Sequence, residues 1–280
     1  MHWEIKANVF RALSVMPFGT HLHFQLQKHV TKEWPRPRST LEQLFVAARR
    51  VYEAAAGHRG HLLEIGAGTD LAVAVALRMM GVERVTCVDV SRLAQPVLVN
   101  DAAAYMADRL GVAVPKLYSW DDVERFGISY RPPIYLQHAA LEPSSFDCFF
   151  SIDAPEHIPL EDLRDVFAVA KVLLRRGGLC VHCIDYGDHD ARSDNGLSRF
   201  NFLTYTEGDW QPFNSKHQYV NRLKHGQFLR LFAEAGMKLL RNEPDVVPAQ
   251  PAILERLAPQ FREFDIPDLF TIRAMIIAAK

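Results

Sequence analysis

The sequence predicts an α/β protein with a mostly parallel sheet, and two observations predict it. Short apolar runs alternate with amphipathic helical stretches between His61 and Tyr186, and this alternation is typical of parallel strands with helices on both faces. A turn with two glycines joins the first strand to the next helix, at a place where such sheets bind ligands. A chain of 280 residues has room for one large domain and a cap.

Apolar periodicity places the individual elements. We expect strands over residues 61–65, 84–88, 134–138, 146–152, 179–186, 238–240 and 272–278. We expect helices over residues 41–56, 69–80, 92–110, 160–174 and 219–235.

The chain is expected to divide into two parts. Residues 1–56 are predicted to form a helical N-terminal cap, and residues 57–280 the main domain. Within the main domain, residues 187–218 are polar and long for a loop, so we expect an active-site loop insertion there.

The composition indicates a cytoplasmic globular protein. Lys and Arg number 32 against 33 for Asp and Glu, without the positive excess that phosphate backbones attract, so we expect no nucleic-acid partner. No apolar run approaches the roughly 18 residues of a membrane span, and the N-terminus lacks the apolar core of a signal peptide. The four cysteines lie in strand-like stretches, as expected for reduced thiols in the cytoplasm.

The strongest functional feature is the turn Glu64–Thr69, with the sequence Glu-Ile-Gly-Ala-Gly-Thr. Gly66 and Gly68 let a ligand approach the backbone, and the following helix would present free N–H groups there. The second strand ends in Asp89, an acid placed to accept hydrogen bonds from ribose hydroxyls. A nicotinamide-binding turn has a third glycine where Leu71 stands, so the pattern disfavours that class.

These segments resemble motifs of class I S-adenosylmethionine-dependent methyltransferases, in particular the branch that methylates small molecules. The resemblance covers Glu64–Thr69, Val88–Asp89 and the stretch from Ser145 to Ile158. It implies a Rossmann-like, seven-stranded, mostly parallel sheet with an antiparallel last strand, a helical N-terminal cap, and S-adenosylmethionine as cofactor.

The resemblance also implies which residues hold the cofactor. The glycine turn would face the methionine part, the acid after strand two the ribose, and the residues after strand three the adenine. The cofactor-binding residues that we expect are Glu64, Gly66, Ala67, Gly68, Asp89, Val90, Gln137, His138 and Asp153.

Catalytic groups are expected beyond the carboxyl ends of strands four and five, where open α/β sheets bind ligands. His189 is the first candidate for a general base, with Asp185 or Asp188 near enough in sequence to orient its ring, and Asp185 is the catalytic carboxylate that we expect. His157 is the second candidate. Each histidine also has a plain interpretation, a solvent-exposed loop residue for His189 and a residue that packs at a helix start for His157. The polar residues at this edge are Asp153, Glu156, His157, Asp185, Asp188 and His189.

We expect no bound metal, although one alternative stays open. Asp185, Asp188 and His189 could hold Mg²⁺ against an acceptor. The sequence Cys180-Val-His-Cys183 has the look of a zinc-binding fragment, but residues three apart in a strand face opposite sides.

Two groups of residues in the second half of the sequence can each be interpreted in two ways. The aromatic residues could wall a substrate pocket or pack as core: Phe200, Phe202, Tyr205, Trp210, Phe213 and Tyr219. Asn221 and Arg222 could orient an acceptor or tie the loop to its helix.

The sequence thus predicts an enzyme that methylates a small molecule, such as a natural product, a sugar or a quinone-like acceptor, at a hydroxyl oxygen. A histidine base in a polar loop favours oxygen. The turn after strand four, Ser151-Ile-Asp153-Ala-Pro155, also lacks the Asn-Pro-Pro-Tyr-like sequence used on planar amino groups. Methylation of a small amine, and a methyltransferase fold that binds without turnover, are the alternatives.

Overall fold

A computed structural model describes residues 3–29, 34–216 and 218–280, and one seven-stranded sheet forms its centre. The strands are β1 (His61–Ile65), β2 (Arg84–Val88), β3 (Ile128–Arg131), β4 (Phe146–Ile152), β5 (Leu174–Asp185), β6 (Lys238–Val246) and β7 (Thr271–Ala279). Their order is β3-β2-β1-β4-β5-β7-β6. Strand β7 runs antiparallel to β5 and β6, whereas the pairs from β3 to β5 are parallel. The predicted fold class is therefore confirmed.

The position of β1 determines where this sheet can bind a ligand. Strand β1 has β2 on one side and β4 on the other, because the chain first moves outward through β2 to β3 and then returns. At such a reversal the connections leave the two neighbouring strands in opposite directions and open a crevice at their carboxyl ends. The turns after β1 and β4 flank that crevice.

Helices cover both faces of the sheet and extend beyond it. In the described ranges they are α1 (Trp3–Val15), α2 (Gly19–His29), α3 (Arg38–Ala54), α4 (Ala72–Met79), α5 (Pro96–Leu110), α6 (Trp120–Arg125), α7 (Leu160–Leu173), α8 (Glu207–Trp210), α9 (His225–Glu234), α10 (Pro251–Leu254) and α11 (Ile266–Leu269). None of these helices combines the length and the apolar character that a membrane crossing requires.

Two hydrophobic clusters cover the two faces, because side chains along a strand alternate between them. Leu62 and Cys183 belong to the cluster with α3, α4 and α5. Leu63 and Cys180 belong to the cluster with α7 and α9. Cys180 and Cys183 thus point to opposite faces, as the sequence predicted.

A third cluster joins the N-terminal helix α1 to the segment after β5. Trp3 is 4% exposed, and its ring centroid lies 6.3 Å from that of Trp210 and 4.8 Å from that of Phe213. The aromatic residues of this segment that pack in the cluster as core are Phe200, Phe202, Tyr205, Trp210 and Phe213. Helix α3 packs in the first cluster instead, and the division into cap and main domain at residue 56 stays a prediction.

The third strand lies earlier in the chain than predicted. Strand β3 is Ile128–Arg131, so the strand predicted at 134–138 is wrong. The two prolines that follow β3 have no N–H to donate, and they end the strand before that segment. The segment becomes a loop with a 3₁₀ turn over Leu136–His138. The loop stays at the sheet because the N–H of Ile134 donates to the backbone oxygen of Asp89 at 2.9 Å.

Other predicted bounds also shift. Helix α4 begins at Ala72 instead of residue 69, α5 at Pro96 instead of residue 92, and α9 at His225 instead of residue 219. Pro96 occupies the first helical turn, where a missing N–H removes no helical hydrogen bond. Strand β5 begins at Leu174, five residues before its predicted start at residue 179.

Candidate active site

A cavity of about 520 Å³ opens at the carboxyl ends of β1, β2 and β4, in the crevice of the sheet. Its walls also come from the loop after β3 and from the segment after β5. Six of the nine predicted cofactor residues line it: Gly66, Gly68, Asp89, Val90, Gln137 and Asp153. The other three do not: Glu64, Ala67 and His138.

The turn after β1 depends on its two glycines. Gly66 and Gly68 have φ angles of 72° and 73°, in the region that favours glycine. A Cβ built on Gly66 would lie 2.6 Å from the Cβ of Ala154, in the turn after β4. From the sequence, Gly66 was expected to lack a side chain so that a ligand could approach the backbone. The close packing between the two turns is a second reason why no side chain fits there.

The start of helix α4 lies later than predicted, and an acid one residue before its N-cap, Leu71, binds its first turn. The carboxylate of Asp70 accepts the N–H of Ala72 at 3.3 Å and pairs with Arg36. One N–H that the sequence assigned to a ligand is thus bound within the chain. The cavity is lined by the two glycines of the turn instead of by this helix end.

Asp89 forms the wall of the cavity at the end of β2. It is 7% exposed, and its carboxylate accepts the N–H of Ser91 at 3.0 Å and the N–H of Gly68. Burial raises the pKa of this carboxyl, although the two N–H donors act in the opposite direction. Backbone donors thus hold a buried acceptor at the cavity wall, where ligand hydroxyls would reach it.

The loop after β3 supplies an unpaired polar group. Gln137 lines the cavity, and its Oε1 is buried without a hydrogen-bond partner among the described residues. Val90 lies beside it as an apolar part of the wall and is 55% exposed. His138, predicted with Gln137, is exposed outside the lining.

Glu64 lies inside the sheet, away from the cavity. It is 3% exposed, and the thiol of Cys87 donates to its Oε2 at 3.4 Å. Burial raises the pKa of this carboxyl to about 8, and the nearby carboxylates of Asp70 and Asp89 act in the same direction. Ala67 is buried in the turn and packs in the first hydrophobic cluster.

The carboxylates after β4 and β5 are paired with arginines. Both oxygens of Asp153 accept hydrogen bonds from Arg273, at 2.6 and 2.7 Å. Asp185 pairs with Arg192 at 2.5 Å and with Arg199 at 2.6 Å. Burial acts to raise the pKa of Asp185, but the two guanidinium groups hold it below its ordinary value. Asp185 is therefore a poor proton acceptor.

The two predicted histidines lie together, with ring centroids 4.9 Å apart. His157 lines the cavity, and its Nδ1–H donates to the backbone oxygen of Tyr219 at 2.7 Å, which leaves a lone pair on Nε2. His189 Nε2 lies 3.3 Å from Arg192 and 3.9 Å from the carboxylate of Asp185. Burial and the neighbouring guanidinium lower the pKa of His189 to about 2. Both rings thus bring imidazole nitrogens to one corner of the site.

Glu156 joins this pair, although the sequence assigned it no role. It is 2% exposed, and neither carboxylate oxygen has a hydrogen-bond partner elsewhere in the described residues. Burial raises its pKa well above the ordinary value, and the carboxylate of Asp153 adds to that rise. Glu156, His157 and His189 each bring one potential ligand atom within 4.8 Å of the other two.

The magnesium set considered from the sequence is not assembled. Asp188 is engaged elsewhere, because it accepts the N–H of Asp190 at 2.9 Å and the side-chain amide of Asn201 at 3.3 Å. The group of potential metal ligands that contains His189 in the described ranges includes neither Asp188 nor Asp185.

Asn221 and Arg222 tie the segment after β5 to the rest of the site. The Asn221 side-chain amide donates to the backbone oxygens of Pro155 and Ile158 at 2.9 and 2.8 Å. Arg222 is 5% exposed and donates to the backbone oxygen of Tyr205 at 2.9 Å. These contacts favour the structural interpretation of the pair, and those of Asn221 hold the turn that carries Glu156 and His157.

Sequence reasoning missed several residues that shape the site. Lys216 lines the cavity, while Arg273 holds Asp153 and Arg36 holds Asp70. The sequence gives little indication of these residues, because each lies in a distant segment that only folding brings close to the site. Tyr219, one of the aromatic residues that the sequence offered as a pocket wall, also lines the cavity. The sequence could have indicated Glu156 as a site residue, because it directly precedes a predicted catalytic histidine.

The sequence matches no protein-family model and no curated protein. Among solved structures, an S-adenosylmethionine-dependent methyltransferase from Mesorhizobium loti is 16% identical, with a TM-score of 0.47 over 82% of this chain and 96% of that one. A SAM-dependent methyltransferase from Methanosarcina mazei is 12% identical, with a TM-score of 0.48 over 80% and 93%. Geranyl diphosphate C-methyltransferase from Streptomyces coelicolor is 15% identical, with a TM-score of 0.46 over 82% and 78%. The similarity is too low to indicate a substrate, and the order and direction of the strands establish the fold class on their own.

Replacing Glu64 tests the buried carboxyl in β1. Its folded-state pKa of about 8 lies above the ordinary 4.5, so the folded chain keeps a proton that the unfolded chain releases as the pH rises. The free energy of unfolding therefore falls as the pH rises between these two pKa values. Glu64→Gln cannot ionise, so its free energy of unfolding relative to the natural protein should rise steadily from pH 5 to pH 8. Urea denaturation at each pH measures this, and a difference that does not change with pH would show that Glu64 titrates normally.

Proposed function

We propose that this protein is an S-adenosylmethionine-dependent methyltransferase that methylates a hydroxyl group of a small molecule. The observation that carries the proposal is the single cavity at the reversal of the sheet, which brings the glycine turn, Asp89 and Gln137 to one ligand-sized space. Its volume falls within the range of about 300–1,000 Å³ typical of small-molecule sites.

The residues of the cavity fit this cofactor group by group. Asp89 offers an acceptor to the ribose hydroxyls, and the buried Oε1 of Gln137 offers an acceptor that an adenine amino group would satisfy. Gly66 and Gly68 expose backbone to the methionine part. Asp153 borders the same space, although Arg273 already occupies both of its oxygens. When bound, S-adenosylmethionine supplies an activated methyl group that an acceptor atom takes in one displacement.

The acceptor side of the cavity is formed by segments after β4 and β5. His157, Asp162, Lys216 and Tyr219 provide polar groups there. A hydroxyl acceptor must lose a proton during transfer, and groups with available lone pairs serve that purpose. His157 supplies such a group at the cavity, and Glu156 and His189 lie next to it. This arrangement supports oxygen as the atom that receives the methyl group.

Asp89→Ala tests the cofactor site. The ribose hydroxyls would lose a charged acceptor, and hydrogen bonds to charged groups are worth roughly 1.5–3 kcal/mol. Affinity for S-adenosylmethionine should therefore fall about tenfold or more in calorimetry. Asp89→Asn keeps one acceptor oxygen and should lose less, while Asp101→Ala, on the exposed side of α5, should bind normally. Unchanged affinity in a folded Asp89→Ala protein would remove Asp89 from the site.

His157→Ala tests the acceptor side. Removal of a group that handles the acceptor proton typically lowers turnover by about 10²–10⁴-fold, while cofactor affinity should hold because Asp89 and Gln137 remain. The measurement is S-adenosylhomocysteine release with a hydroxyl acceptor found by screening, with binding measured in parallel. His138→Ala, an exposed histidine outside the cavity lining, is the matched control. Full turnover in His157→Ala would exclude a role for this histidine in the transfer.

A further inference from the structure

We propose that Glu156, His157 and His189 form a binding site for a divalent transition-metal cation. Two imidazole nitrogens and one carboxylate oxygen lie within 4.8 Å of one another. This donor set is used by catalytic zinc and by non-haem iron(II), both of which keep open positions for a substrate. Mg²⁺ prefers oxygen ligands, so the imidazoles favour a transition metal over the magnesium considered from the sequence.

Glu156 is the carboxylate that lacks a counter-ion. Asp153 is paired with Arg273, and Asp185 is paired with Arg192 and Arg199. Glu156 is 2% exposed, and both of its oxygens lack a partner elsewhere in the described ranges. A buried carboxylate in this state is unstable unless it is protonated or paired. A cation at the two histidines would pair it.

His157 is held as a metal-binding histidine usually is. Its Nδ1–H donates to the backbone oxygen of Tyr219 at 2.7 Å, which fixes the ring and leaves Nε2 as the donor atom. Histidine ligands almost always donate their other N–H to a carbonyl, a carboxylate or water in this way. Asn221 fixes the turn itself through the backbone oxygens of Pro155 and Ile158.

The side chain of Arg192 already places a positive charge next to His189, the third residue of the proposed site. The guanidinium of Arg192 is 3.3 Å from Nε2 of His189 and 2.5 Å from Asp185. The Arg192 side chain is half-exposed, so it can turn toward solvent. A divalent cation would therefore displace Arg192 from His189, and Asp185 would keep its contacts with Arg199.

The site would act directly on the acceptor, and this part of the inference rests on the proposed function. In this form His157 promotes loss of the acceptor proton by holding the cation, instead of accepting the proton itself. His157 lines the cavity, so an open position of the cation would face the acceptor. A cation lowers the pKa of a hydroxyl that binds it. The hydroxyl proton would pass to solvent, the oxygen would form a bond to the methyl carbon, and the carbon–sulfur bond would break to leave a thioether. The favoured acceptors are hydroxyl compounds that bind transition metals.

Titration with Co²⁺ tests the metal site independently of turnover. Protein freed of metal by a chelator should bind one Co²⁺ per chain at this site, seen by absorption spectroscopy and by calorimetry. Glu156→Gln has the same shape and no charge, so it should keep the fold. This variant and His189→Ala should each weaken Co²⁺ binding by at least about tenfold, since even residues that only orient metal ligands contribute 10–100-fold. His138→Ala should bind Co²⁺ normally.

Two results would overturn the metal site. One is the absence of Co²⁺ binding, and the other is binding that Glu156→Gln and His189→Ala leave unchanged. S-adenosylmethionine affinity, measured on the same samples, separates this inference from the proposed function. Normal cofactor binding without Co²⁺ binding would refute the metal site alone, whereas Co²⁺ binding without cofactor binding would refute the proposed function alone.

Discussion

Close packing between the turns after β1 and β4 is the constraint on which the site depends. A Cβ on Gly66 would lie 2.6 Å from the Cβ of Ala154, so the two turns can approach only because Gly66 has no side chain. This approach sets the glycine turn directly beside Asp153, Glu156 and His157, which follow or flank Ala154. The groups suited to a cofactor and those suited to an acceptor therefore share one cavity.

Two of the carboxylates near this cavity are paired with arginines, whereas that of Glu156 is not paired with any arginine that the structure describes. Asp153 and Asp185 are held by arginines that come from distant parts of the chain. These pairs occupy both carboxylates with guanidinium groups, so neither is free to act as a base. Glu156 alone stays without a partner in the described ranges, and it lies next to two histidines. Glu156, His157 and His189 thus form a polar group beside the acceptor side that no described arginine neutralises in the way that Arg273 pairs with Asp153.

The parts of the site that the sequence predicted are those that local chemistry determines. Gly66, Gly68 and Asp89 follow directly from strands, and a strand that is correctly placed also places the residue after it. The prediction was wrong at β3, because the apolar residues after two prolines resembled a strand although the prolines prevent strand pairing there. Asp185 was expected to orient His189, but Arg192 and Arg199 occupy it, and no spacing in the sequence reveals such partners. Glu156 gained its importance only from burial without a partner, which is a property of the folded chain.

A crystal structure with S-adenosylhomocysteine tests the central claim most directly. The account predicts that the ligand occupies the cavity at the carboxyl ends of β1, β2 and β4, with its ribose hydroxyls bound to Asp89 and its adenine beside Gln137. Its homocysteine part should lie against Gly66 and Gly68. A ligand bound elsewhere, or in this cavity with its ribose away from Asp89, would contradict the assignment of the site.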